Sequence, residues 1–295
     1  MNNRTQIVLV FCCLAVSVSV QAQKFPYKKA NMPFNAPPVE RPIDDACGDE
    51  GTASGDVQQA QNRAKNNFSV HGTPVPIVVG DIDRLEKASL RARNCWAKNL
   101  PCPKLEMKAG LPVDRQQLVD IATTANGTKV GEGTIVVLEA KVLSSHYSNT
   151  KYNIYGTKNG KPQVGSGESV NCKNKQMDWN DIHVVLAAPG VTNECLSVTA
   201  EVSPHFRPDS WRRFHNMRKN SVGNINLEAK GVNFNKVQLV RITGPLFYDA
   251  SHEPCSPGKK TSPARRSIWE IHPAYKLEVK VNGQWQDFDD WVSSQ

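Results

Sequence analysis

The chain lacks the short motifs that mark many catalytic folds. It has no P-loop, no GxGxxG, no GxSxG elbow and no HExxH. These absences argue against P-loop nucleotide hydrolysis and α/β-hydrolase chemistry. No CxxC pair occurs, which leaves a redox centre or a zinc ribbon little support. Beyond residue 22 no run is apolar and long enough to cross a bilayer. Between residues 46 and 125 large apolar side chains are scarce. Helices there need disulfides or a neighbour to pack against.

What is present begins with a targeting pattern. Arg4 supplies a positive start, Ile7 to Val20 an apolar run, and Val20-Gln21-Ala22 a small-residue cleavage site. Phe11 precedes Cys12, which does not fit a lipid-attachment box. Residues 1–22 therefore read as a signal peptide, and the chain as freely exported, secreted or periplasmic. The net charge is +8, which favours anionic partners such as nucleic acid or an acidic polysaccharide.

Six cysteines follow the targeting segment: Cys47, Cys95, Cys102, Cys172, Cys195 and Cys255. An even number in an exported chain suggests disulfides. Spacing favours Cys172 with Cys195, and one bridge within the Cys47, Cys95 and Cys102 group. Cys255 is left open as a buried thiol.

Residues 23–45 carry five prolines and read as a disordered tether. Residues 46–125 read as a small, disulfide-stapled helical region. Asp56 caps a helix to about Asn67 that offers little apolar surface. Asp81 or Asp83 caps another, with Leu85, Ala88 and Ala92 on one stripe, and Asp114 a third.

From residue 131 the pattern turns to strands. Ile135 to Leu143 is rich in β-branched residues. Asp181 to Leu186 and Leu196 to Val202 alternate, the second with Ser197, Thr199 and Glu201 on its outer face. Lys236–Thr243, Leu246–Tyr248 and Ser267–Val281 follow, with a short helix at Ser210–Lys219. Asn159-Gly160 and Asn282-Gly283 signal type I′ hairpins. The fold class is mainly β. An OB-like small barrel spans 131–281, a β-sandwich is the runner-up, and 282–295 form a hairpin and tail.

Three segments carry a resemblance: Gly167 to Cys172 as Gly-Glu-Ser-x-Asn-Cys, Asp181-Ile182-His183, and Trp269-Glu270-Ile271-His272-Pro273. In these the chain resembles exported bacterial proteins of unknown function. The resemblance covers about residues 131–281, implies an OB-like fold, and brings no activity with it.

One polar set can carry chemistry: Glu168, Asp181, His183, Asp249, His252, Glu270 and His272. His183, His252 and His272 are candidate ligands for a divalent metal such as zinc, with Glu270 and Asp181 as ligand or base. Asp181 shares a strand face with His183, as Glu270 does with His272. The two strands are expected in one sheet, with at least one histidine paired to a carboxylate. A metal there would activate water for phosphodiester hydrolysis. A second set is basic: Arg212 and Arg213 beside Trp211, then Lys259, Lys260, Arg265 and Arg266 in a loop.

Three readings follow. The first is an OB-like binding module for an anionic polymer, with nucleic acid as one candidate. The second is a metal-dependent hydrolase of the phosphodiesterase or nuclease type. The third is a surface protein without a site, its histidines all bonded to protein.

Overall fold

The computed structural model describes residues 24–97, 107–108, 111–151, 154–214, 218–219, 225–226, 237–257 and 264–295. Eight strands form the main sheet. They are β1 (Val75–Ile77), β2 (Ile135–Tyr147), β3 (Ile182–Ala187), β4 (Val198–Val202), β5 (Val237–Tyr248), β6 (Trp269–Ile271), β7 (Lys276–Val281) and β8 (Gln284–Asp287). The helices are α1 (Pro42–Ala46), α2 (Asp56–Lys65), α3 (Val79–Ala97) and α4 (Phe288–Ser293).

The order is β1-β2-β3-β4-β6-β5-β7-β8, and β2 also pairs with β5. That last pairing closes β2, β3, β4, β6 and β5 into a barrel. Within it only β4 and β6 run parallel. The fold is therefore the small five-stranded barrel expected, and closure sets the sandwich aside.

Alternation builds the barrel interior. Ile182, Val184 and Leu186 of β3 face Val198, Ala200 and Val202 of β4, with Trp269, Ile271, Leu246 and Tyr248 completing that wall. All of these are buried. The opposite face of the same strands carries His183, Glu201, Glu270 and Phe247. An uncovered face would leave them in water, but these four are buried too, because the N-terminal segment lies over them.

Several sequence expectations are corrected. Lys236–Thr243 and Leu246–Tyr248 are one strand, β5. Ser267–Val281 divides into β6 and β7 around Pro273, which cannot donate to a ladder. The helix expected at Ser210–Lys219 is a short 3-10 turn, Asp209–Phe214. The helix expected from Asp114 is also a 3-10 turn, Arg115–Leu118, with Asp114 capping Gln116 N–H. Both Asn-Gly hairpins are present, with left-handed φ of 52° and 74° at Asn159 and Gly160, and 50° and 80° at Asn282 and Gly283.

The lead is docked rather than a tether. Phe25 packs on Phe68 and His205, and Asp44 bonds His205 at 2.7 Å. The region 46–125 is not purely helical, since β1 joins the sheet beside β2.

The cysteine pairing also differs. Cys47 joins Cys172, and Cys195 joins Cys255. Both bridges tie segments far apart in sequence, a pairing that spacing alone does not reveal. Cys95 and Cys102 lie outside the residues whose side chains are described. No helix among the described residues is long and apolar enough to cross a membrane.

Trp269 anchors α3 to the barrel. Its indole donates to Ser89 Oγ at 3.1 Å, while Ser267 Oγ and Ile268 N–H donate to Glu86. Replacing a buried ring of this size opens a cavity. Trp269→Ala should cost about 3–5 kcal/mol in urea unfolding, and a loss under about 1 kcal/mol would show that the ring does not organise the core.

Candidate functional site

The site lies between the outer face of β3, β4 and β6 and helix α2. Helix α2 has no apolar stripe to bury, and what it buries is Gln61, Asn62 and Lys65. Lys65 is the centre. Its Nζ lies 2.8 Å from Glu201 Oε2, 3.3 Å from Asp249 Oδ2 and 3.6 Å from Glu270 Oε1. Burial opposes its charge, but the three carboxylates outweigh burial and hold the ammonium well above its ordinary pKa.

Register explains the gathering. Glu201 faces His183 directly across β4 and β3, and His183 Nε2 meets Glu201 Oε1 at 2.7 Å. On β6, Glu270 is opposite Thr199 on one side and Phe247 on the other. The polypeptide returns at Ala274, whose N–H donates to Glu201 O. This brings His272 Nε2 to 3.5 Å from both Asp181 Oδ1 and Glu201 Oε2. Both contacts are at the long limit of a hydrogen bond. Asn171 Nδ2 donates to Asp181 Oδ2 at 2.8 Å. The Cys47–Cys172 bridge fixes the loop that carries Asn171 and Glu168.

The electrostatics divide the carboxylates. Burial pushes Glu201 up, but His183 and Lys65 overcome it and hold the group well below the carboxylate range. Burial, reinforced by Glu201, keeps Glu270 well above it. Glu168, at the margin beside Ser148 with 14% of its side chain exposed, is pushed up to about 7, chiefly by burial and by neighbouring Asp181 and Glu201. Burial lowers His252 to about 4, against the pull of Asp249.

All seven members of the polar set read from sequence therefore lie in one cluster. The strands of His183 and His272 share a sheet, with β4 between them, and His183 is paired as expected. The three histidines do not form one ligand set. His183 is engaged with Glu201 and its ring lies 6.4 Å from that of His252, which faces Asp249 instead. Two groups of donors converge within 4.8 Å among the described residues: Asp181, Glu201 and His272, and Glu201, Asp249 and Glu270. The second group is the one that surrounds Lys65.

The basic set fares differently. Arg265 is fully buried, with Nη1 3.2 Å from Glu270 Oε2, so it cannot meet a polymer. Arg266 is mostly buried and pairs with Asp83 at 2.5 Å. Lys259 and Lys260, and the side chains of Arg212 and Arg213, lie outside the described residues.

Sequence reasoning missed Lys65 and Glu201. Lys65 had one signal, a helix with nothing apolar to bury. Glu201 had none, because alternation looks the same whether or not its polar face is covered.

A groove of about 530 Å³ opens beside the cluster, lined by Arg63, Arg115, Phe247 and His272 among others. Comparison with protein families, with curated proteins and with solved structures finds no match. The site's own geometry is therefore the basis for a functional reading.

Lys65→Met removes the one cation that Glu201, Asp249 and Glu270 share. It should cost about 3–5 kcal/mol near neutral pH, and adding Glu201→Gln should recover part of that. If the single change is neutral, Lys65 does not organise the site.

His183 yields a pH test. Burial lowers its pKa, but Glu201's charge and hydrogen bond raise it further, so the net value is raised. Its stabilisation is therefore full below the unfolded pKa of about 6.5 and is lost as pH rises through the folded value. In urea, His183→Gln should cost more at about pH 5 than at about pH 9. The reverse order would contradict the pairing.

Proposed function

We propose that this is an exported, metal-dependent hydrolase whose Asp181, Glu201 and His272 hold one divalent cation. One observation carries the reading. His272 Nε2 sits 3.5 Å from each of two carboxylate oxygens, at the long limit of a hydrogen bond to either. Donors that share an ion with bonds near 2.1 Å in tetrahedral geometry lie about 3.4 Å apart. The spacing therefore fits donors around an ion.

The donor chemistry supports it. One imidazole with two carboxylates suits zinc or manganese. Asn171 on Asp181, and His183 with Lys65 on Glu201, orient the carboxylates as outer partners of metal ligands do. When bound, such an ion supplies an activated water. His272 also lines the open groove, which offers a substrate a way in.

The substrate class in this reading is an anionic ester, with phosphodiesters of an anionic polymer first, in keeping with the net charge of +8. Export agrees with two disulfides, which persist in oxidising compartments.

Added zinc or manganese should raise the melting temperature of the wild-type protein near pH 7, and the effect should fade as pH drops and ligands protonate. Asp181→Asn and His272→Ala should each abolish the shift. Metal-dependent cleavage of single-stranded DNA should disappear with them. A wild-type protein that is metal-free on isolation and indifferent to both ions removes the reading.

A further inference from the structure

The two bridges among the described residues do different work. Cys195–Cys255 links the turn before β4 to the loop after β5, both parts of the barrel. Cys47–Cys172 links the N-terminal segment to the barrel across 125 residues. Its two ends are unequal: Cys47 is 1% exposed, whereas Cys172 is only half-buried.

On the barrel side the bridge closes the loop 167–173, which carries Glu168 and Asn171 against the polar cluster. Lys173 N–H donates to Glu168 O at 2.8 Å, so the loop folds back on itself. Cys172 and Lys173 both hold left-handed φ, 53° and 55°. Two successive side chains in that region are uncommon and costly, and such strain gathers at clamps and switch regions.

On the other side the bridge holds residues 47–65, the stretch that ends in Lys65. The flanks of this stretch are anchored without it. Asp44 pairs with His205 at 2.7 Å before it, and Phe68 packs on Phe25 and Phe206 after it. The stretch itself is held by polar contacts. Thr52 N–H donates to Ser169 O at 2.8 Å, and Asn62 Nδ2 to Ser169 Oγ at 3.2 Å, both on the bridged loop. Helix α2 buries Gln61, Asn62 and Lys65 and no apolar side chain. Hydrogen bonds of this kind give way to water at small net cost. The aromatic anchors would lose apolar burial if they parted.

We infer that Cys47–Cys172 is a redox latch, opened by a dithiol reductant, that holds residues 47–65 down over the polar cluster. A thiolate of the dithiol attacks the sulfur of Cys172, the more exposed partner, and Cys47 leaves as its thiolate and takes a proton. The second thiol of the reductant then attacks the reductant's own sulfur in the mixed disulfide and releases Cys172 as a thiol. The bridge gains two electrons and two protons, and the dithiol is oxidised to its disulfide. With the bridge open, residues 47–65 lift between their anchors, the loop 167–173 relaxes, and water reaches Lys65. The latch operates whether or not the cluster holds a metal.

The test treats the native protein with graded dithiothreitol, maps the freed thiols by alkylation, and probes Lys65 with acetic anhydride. In the oxidised protein Lys65, with 6% of its side chain exposed, should resist acylation. Where Cys47 and Cys172 are alkylated, Lys65 should become acylated. Amides of 48–65 and 167–173 should then exchange with deuterium at least about tenfold faster, while β3 and β4 stay protected. Cys47→Ser combined with Cys172→Ser should match the reduced state with Cys195–Cys255 intact. A bridge that stays oxidised until the barrel unfolds would overturn the inference. So would a reduced bridge with Lys65 still unreactive, and either result makes the bridge a structural staple. If the double variant does not fold, the match between Lys65 acylation and the mapped state of each bridge in the wild-type protein still decides.

Discussion

The ion pairs of Lys65 are the interaction on which the site depends. One ammonium, almost without solvent contact, faces Glu201, Asp249 and Glu270 from three separate segments. Taking that many charges out of water is expensive, and good geometry returns only part of the cost. Apolar replacements of buried ion pairs are often neutral or stabilising, and strongly perturbed groups cluster at functional sites as well as in structural ion-pair networks. The same ammonium fixes how α2 lies: its polar side faces the barrel, and Gln61 Nε2 reaches Asp249 at 3.4 Å.

Lys65 also distinguishes the two donor groups. Glu201, Asp249 and Glu270 already surround a cation. Asp181 and His272, which share Glu201 with that group, do not contact the ammonium, and His272 lines the groove beside the cluster. Glu201 links the two. One of its oxygens faces His183, and the other lies between Lys65 and His272. A change at any of these groups is therefore felt at the others, and single substitutions here should not add.

The barrel was legible because strand alternation is a local property. Val198, Ala200 and Val202 point inward for reasons contained in five residues. The seven polar residues of the cluster were legible as a set, because histidines and carboxylates two apart on strands share a face. What covers that face was not. Glu201 looks solvent-facing until the N-terminal segment is placed over it, and that depends on contacts such as Phe25 with Phe68 and Asp44 with His205. Arg265 looked exposed because its loop is rich in proline and cations, while its actual position is set by Glu270 on the next strand. The disulfides depend on the same long-range placement. Cys47 finds Cys172 only because the lead is docked.

The central claim is that Asp181, Glu201 and His272 are donors to one ion. Anomalous diffraction from crystals soaked in manganese tests it most directly. The account predicts one strong peak bounded by these three side chains, at roughly 2.0–2.2 Å from His272 Nε2 and the two carboxylates. No peak there, with the His272 ring hydrogen-bonded directly to Asp181 or Glu201, would contradict it and leave the cluster as a buried ion-pair network.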